Sequence, residues 1–244
     1  MAMELWQWAL AALAAFIVGM SKTGVTGLGI LAVALFASII PARESVGVML
    51  IVLIAGDVVA VAAYRREADW PQLLRLFPWA AAGVVIGAVA LGRIDDTLMK
   101  RLIGVTLVTL VGMVLLRRRS PAAPDAPPRR WVGPLAGLFG GITTMIANAA
   151  GPIMAIYLLA MRLPKMVFIG TTAWFFLVLN LFKVPFSVGL GMVNMGSLQV
   201  SLALAPFAVA GALVGRWLIR FINQELFENL ALGLAVLAGV RMLL

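Results

Sequence analysis

The sequence predicts an all-α, polytopic membrane protein built from two related halves. Three observations predict it: apolar blocks long enough to cross a bilayer, a 244-residue chain that is 63% apolar and only 12% charged, and a second half that repeats the first. A soluble domain of this length needs far more charge to cover its surface. A β-barrel would alternate with period two in short segments, whereas these blocks are continuously apolar and rich in Ala, Leu, Val and Gly.

The blocks run Leu5–Ile40, Val46–Tyr64, Leu73–Leu91, Leu98–Leu116, Val132–Leu163, Val167–Val184, Leu198–Ile219 and Leu226–Leu244. Six have the length of a single span, about 20 residues. The first and fifth are too long for one span and too short for two with a loop. The first twenty residues lack a basic leader and belong to the repeat, so they are read as mature protein and not as a signal peptide. Small residues interrupt each long block near its middle: GMSKTGVTGLG over Gly19–Gly29, and GGITTMIANAAGP over Gly140–Pro152. About a dozen residues follow each break before a polar turn, a rise of about 18 Å against a hydrocarbon core of about 30 Å. Each long block is therefore expected to be a re-entrant hairpin whose second arm is a half-helix ending near the membrane middle. Two full spans would preserve the same topology, so loop charge does not choose between them.

Loop charge does orient the chain. The Pro-rich, basic stretch 117–130 reads as a cytoplasmic linker between a first repeat, 1–116, and a second, 131–244. Working outward from it puts twelve basic residues inside and five outside, with Lys22 and Lys183 left within apolar blocks. Both termini come out external, in a bacterial-type inner membrane. The net charge of +9 is thus topology signalling and not a nucleic-acid footprint.

The halves align without forcing. Leu76–Gly87 (LFPWAAAGVVIG) matches Leu204–Gly215 (LAPFAVAGALVG), placing Pro78 on Pro206, Gly83 on Gly211 and Gly87 on Gly215. Pro41 falls on Pro164, and Asp57 on Asn180. One hairpin plus three crossings per half is an odd number, which inverts the second half. The expectation is an inverted-topology repeat, an architecture that recurs in secondary transporters.

The candidate site follows from the breaks. Pro is favoured in the first helical turn, so the returning arm of the second hairpin is expected to start at Gly151-Pro152, with Gly29 as its counterpart. Helix starts leave N–H groups unpaired and carry partial positive charge, which suits an anion. The alternative is that these glycines only permit close helix packing. Hydroxyls and amides gather at the same places: Ser21, Thr23, Thr26, Thr143, Thr144 and Asn148, with Gly24 between them. Lys22 either faces a buried anion or snorkels to the far surface. Asp57 is the carboxylate well inside an apolar block, a functional hypothesis by default; it either exchanges a proton as the site empties or pairs with Lys22. Asn180, its repeat partner, cannot titrate. Lys183, one turn after Asn180 and just before Pro185, is expected to snorkel outward, with a place on the solute path as the alternative. Trp6, Trp8, Trp70, Trp79, Trp131 and Trp217 lie near block ends as interfacial anchors; Trp174 lies deeper and is expected to pack in the core.

There is no Cys and no His, and no nucleophile–base pair, P-loop or metal-ligand cluster is evident. The expectation is a non-enzymatic protein without cofactor or metal, whose partners are a small anion and the lipid bilayer; whether two copies pair as a homodimer stays open. The two broken segments, GMSKTGVTGLG and GGITTMIANAAGP-IMAIYLLAMRLPK, and the prolines that follow each hairpin at Pro41 and Pro164 resemble the sulfite exporter TauE/SafE family over nearly the whole chain. That resemblance implies export of small sulfur-containing anions, such as sulfite or the sulfonate sulfoacetate, energised by an ion gradient. The AAGP ending of the second break departs from the GGP-like ending often seen, which bears on Ala150. A passive anion channel, or a membrane subunit without transport of its own, are the rival functions.

Overall fold

The computed structural model describes residues 3–23, 28–119, 130–161, 163–218 and 240. The break residues Gly24 and Thr26, most of the linker and the apolar block Leu226–Leu244 lie outside them. The described elements are helices: α1 Leu5–Thr23, α2 Leu28–Ile39, α3 Ala42–Tyr64, α4 Trp70–Leu91, α5 Asp96–Arg119, α6 Val132–Ala147, α7 Gly151–Ala160, α8 Lys165–Gly189 and α9 Met195–Leu218. Six of them (α1, α3, α4, α5, α8 and α9) are long and apolar enough to cross a membrane.

Local chemistry sets the boundaries. Pro41 and Pro164 sit at the N-caps of α3 and α8 with extended backbone, ψ 142° and 145°, because proline cannot extend the helix before it but can open the next. Asp69 caps α4, its side chain accepting from the Gln72 N–H at 3.1 Å. At Asn148, α6 stops in the left-handed conformation (φ 53°, ψ 29°), and α7 starts three residues on at Gly151-Pro152.

The two long blocks each split at their break, as expected, into a longer and a shorter arm packed together: 19 and 12 residues in α1–α2, 16 and 10 in α6–α7. The second arms are half-helices. The first arm α1 is different: 19 residues rise about 28 Å, the length of a span.

The first arm of each hairpin packs on a helix of the other half. Helix α1 lies against α9, and α6 against α4. Both crossings are so close that a side chain at the glycine would land on backbone: Gly211 against the Phe16 carbonyl, and Gly83 against that of Leu138. Helix α3 runs through the middle, touching α1, α2, α5, α8 and α9. At its start Arg43 ties three segments together: its N–H reaches Asp96 Oδ1 at 2.9 Å, and its guanidinium donates to the carbonyls of Leu91 (2.5 Å), Ile94 (3.0 Å) and Leu190 (3.4 Å). Trp6, Trp70, Trp79, Trp131 and Trp217 are exposed on the outside of this bundle, where a lipid interface would meet them.

Candidate anion site

A cavity of about 330 Å³ opens where the two hairpin breaks approach α3 and α8. Lys22 at the end of α1 and Gly29 at the start of α2 come from the first break. Thr144 and Asn148 at the end of α6, with Gly151 and Pro152 at the start of α7, come from the second. Asp57 enters from α3 and Asn180 from α8. Residues 158 positions apart in sequence thus share one space because each break puts a helix end, and not a helix side, against the central pair.

The polar groups form a continuous network. Lys22 Nζ lies 2.8 Å from Asp57 Oδ1 and 4.4 Å from the centre of the Phe176 ring, so the cation has both a carboxylate and an aromatic face. Asp57 Oδ2 accepts from Asn180 Nδ2 at 2.6 Å. Lys183 Nζ donates to Asn148 Oδ1 (2.5 Å), Thr144 Oγ1 (3.1 Å) and Asn180 Oδ1 (3.4 Å). Asn148 Nδ2 in turn donates to the Val46 carbonyl at 2.9 Å. One chain of contacts therefore runs from α1 through α3 and α8 to α6. Asp57, Asn180 and Lys183 have no solvent exposure.

The residues expected from the sequence divide clearly. Ser21, Lys22, Gly29, Asp57, Thr144, Asn148, Gly151, Pro152 and Asn180 line the cavity. Thr23 and Thr143 do not. The Thr23 hydroxyl donates to the Ala212 carbonyl at 2.8 Å, bracing α1 on α9, and that of Thr143 donates to the Phe139 carbonyl at 2.9 Å within its own helix. Gly24 and Thr26 lie outside the described residues.

One expectation about a single residue changes, and one open alternative is decided. Lys183 does not snorkel: its ammonium is turned inward onto three oxygens, which supply buried what water would supply at the surface. Lys22 takes the pairing alternative, bound to Asp57 at the cavity wall. Trp174, partly buried, packs against the core as expected and does not line the cavity. It stacks on Trp70 with ring centres 5.2 Å apart, and its Nε1 donates to the Arg65 carbonyl at 3.3 Å.

Sequence reasoning missed the apolar wall. Phe168, Thr172 and Phe176 line the cavity on the same face as Asn180, and Met49 and Leu53 on the same face as Asp57. The signal was there: each set steps back by four residues from a polar residue already singled out, which is one face of a helix.

No curated protein and no solved structure matches the chain. The profile of one family does, described as sulfite exporter TauE/SafE, over residues 11–242. That span contains both breaks, both central helices and every residue of the network. The chain, whose described residues are helical with six helices of membrane-crossing length among them, and which the profile matches over nearly its whole length, belongs to the sulfite exporter TauE/SafE family of membrane transporters.

Proposed function

We propose that the chain is a secondary transporter that exports a small anion by alternating access, coupled to protons through Asp57. The proposed substrate is a sulfur-containing anion such as sulfite or sulfoacetate. One observation carries this reading: an ammonium and the starts of two short helices, α2 at Gly29 and α7 at Gly151-Pro152, converge on a single cavity. Orphan N–H groups and the positive ends of helix dipoles favour an anion there. The Thr144 hydroxyl accepts from Lys183 and keeps its own proton to donate; that of Ser21 is already given to the Val18 carbonyl at 2.7 Å. The sulfur chemistry comes from the family alone.

Two oppositely inserted halves are part of the proposal, with the linker cytoplasmic and both termini external in an inner-type membrane. Its support is that positions aligned by the repeat play matching parts. Gly83 and Gly211 sit in corresponding crossings, and Asp57 and Asn180 touch each other. Two aligned residues meet in this way when they lie beside a pseudo-two-fold axis, and rocking of one repeat against the other about such an axis is how alternating access is built.

The test has two arms. In inverted vesicles, Asp57→Asn is expected to abolish sulfite or sulfoacetate uptake driven by an imposed pH gradient while binding persists; full retention of driven uptake overturns the coupling. A binding panel of sulfite, sulfoacetate, sulfate and carboxylates on the purified protein tests the substrate, and a preference for carboxylates over all the sulfur anions overturns it. Accumulation against a gradient in proteoliposomes separates a transporter from a passive channel.

A further inference from the structure

Three ionisable side chains meet in the protein interior: Lys22, Asp57 and Lys183. Lys22 and Asp57 pair with each other. Lys183 has no carboxylate in contact; its partners are the neutral oxygens of Thr144, Asn148 and Asn180. Those oxygens are held in place from behind, because Asn148 Nδ2 is committed to the Val46 carbonyl and Asn180 Nδ2 to Asp57. Three acceptors around one nitrogen match an ammonium, which has three donors and no acceptor. A neutral amine would fit the same three groups only with the Thr144 hydroxyl turned to donate to its lone pair. With Lys183 as the ammonium, the cluster holds two positive charges and one negative. The unmatched charge lies just behind Thr144, Asn148 and Asn180, all three of which line the cavity.

A net charge buried in low dielectric is costly, and the cost falls when a counter-charge arrives. Asp57 also has one oxygen that Lys22 alone contacts. Its Oδ2 accepts from Asn180, whereas its Oδ1 has the ion-pair contact with Lys22 but no aligned hydrogen bond. Lys22 from α1 and Lys183 from α8 are the charged groups that act on Asp57; among the described residues, α2, α5 and α9 bring none to it.

Resting on the anion site proposed above, we infer that the bound anion completes this cluster to electroneutrality, so that a monovalent anion binds without a proton and a divalent anion binds with one proton placed on Asp57. The balance is explicit. Two ammoniums, a carboxylate and a monoanion sum to zero; so do two ammoniums, a neutral carboxyl group and a dianion. The dianion takes over Lys22, and the proton comes from solvent onto the Oδ1 that Lys22 leaves. Proton stoichiometry is thereby set by the charge of the substrate. Lys183 fixes that rule without touching the substrate: it is a positioning residue for Thr144, Asn148 and Asn180 and the source of the extra positive charge.

Calorimetry of the purified full chain, in neutral buffers of different ionisation enthalpy, reads the protons taken up per anion bound. The probes are methanesulfonate, a fixed monoanion, and sulfoacetate, a fixed dianion. The wild-type chain is expected to take up no proton with methanesulfonate and one with sulfoacetate. In Asp57→Asn, sulfoacetate binds with no proton uptake. In Lys183→Gln, which keeps a side-chain N–H donor, methanesulfonate acquires an uptake of one proton, a change that loss of a purely structural contact would not produce. Equal proton uptake for the two anions on the wild-type chain, or methanesulfonate binding that stays proton-free in Lys183→Gln, overturns the inference while leaving the anion site standing. Failure of the wild-type chain to bind either anion overturns the site as well. Should Lys183→Gln not fold, judged by its thermal midpoint, the wild-type contrast and the Asp57→Asn arm decide alone.

Discussion

At the scale of the residue, Asn148 concentrates more constraints than any other described position at the breaks. It holds the left-handed conformation that ends α6, its amide donates to α3 and its carbonyl oxygen accepts from Lys183 on α8. Alanine and glycine at this position remove both hydrogen bonds alike but differ in the backbone. A left-handed residue with a Cβ costs about 1–2 kcal/mol, and glycine carries no such cost. Asn148→Gly is therefore expected to be about 1 kcal/mol more stable than Asn148→Ala, the reverse of the usual order inside a helix, with both below the wild-type chain in thermal unfolding in one detergent. The reverse order would show that the side-chain contacts alone fix this break. Sequence reasoning reached Asn148, Thr144, Asp57 and Lys22 because a polar group inside an apolar block has few explanations. It misjudged Lys183 because distance from a block end decides snorkelling only when no buried acceptors are in reach, and the three oxygens come from α6 and α8, which the sequence does not place side by side.

At the scale of the element, the glycines of the two crossings separate packing from propensity. Gly83 and Gly211 lie where a side chain would strike the backbone of α6 and α1, whereas Gly112 of α5 has no atom of the described residues within 4 Å of the space a Cβ would fill. All three are in helices, where alanine is intrinsically better by about 0.5–1 kcal/mol. Gly112→Ala is expected to hold or raise the thermal midpoint, and Gly83→Ala and Gly211→Ala to lower it, because rigid backbones must separate and lose contact along the crossing. A neutral Gly83→Ala would mean that the α4–α6 crossing is looser than described. Helix boundaries were readable where one residue type has one use: Gly151-Pro152 opens α7, as the sequence predicts, and Pro41 and Pro164, read only as following each hairpin, also open α3 and α8. Arm lengths were less readable. A run of Ala, Leu and Gly does not reveal where a helix stops, so α1 reaches span length although its block was read as a hairpin.

At the scale of the whole molecule, the two halves use one plan with the charges exchanged. Gly19 packs on α9 and Gly141 on α4, and three residues beyond each stand Lys22 and Thr144. In the first half the lysine is on the hairpin and its acceptor, Asp57, on the central helix; in the second the lysine, Lys183, is on the central helix and its acceptors, Thr144 and Asn148, on the hairpin. Each break therefore has a cation beside the carbonyl end of its first arm, where the helix dipole favours one, and a helix start left facing the cavity. A centre supported equally from both halves can be opened to either side by moving one half, which is what alternating access requires and a fixed pore does not. The absence of cysteine makes this measurable without removing native thiols. Thr172→Cys places a thiol on the cavity wall. Ala122→Cys in the linker and Arg93→Cys in the opposite loop are, in the proposed orientation, the cytoplasmic and external references for a membrane-impermeant maleimide. For a transporter, saturating anion on one side is expected to shift the labelling of Thr172→Cys between the two sides, while both references stay constant. Labelling from both sides at once, unmoved by anion, would identify a channel; linker labelling from the external side would overturn the orientation.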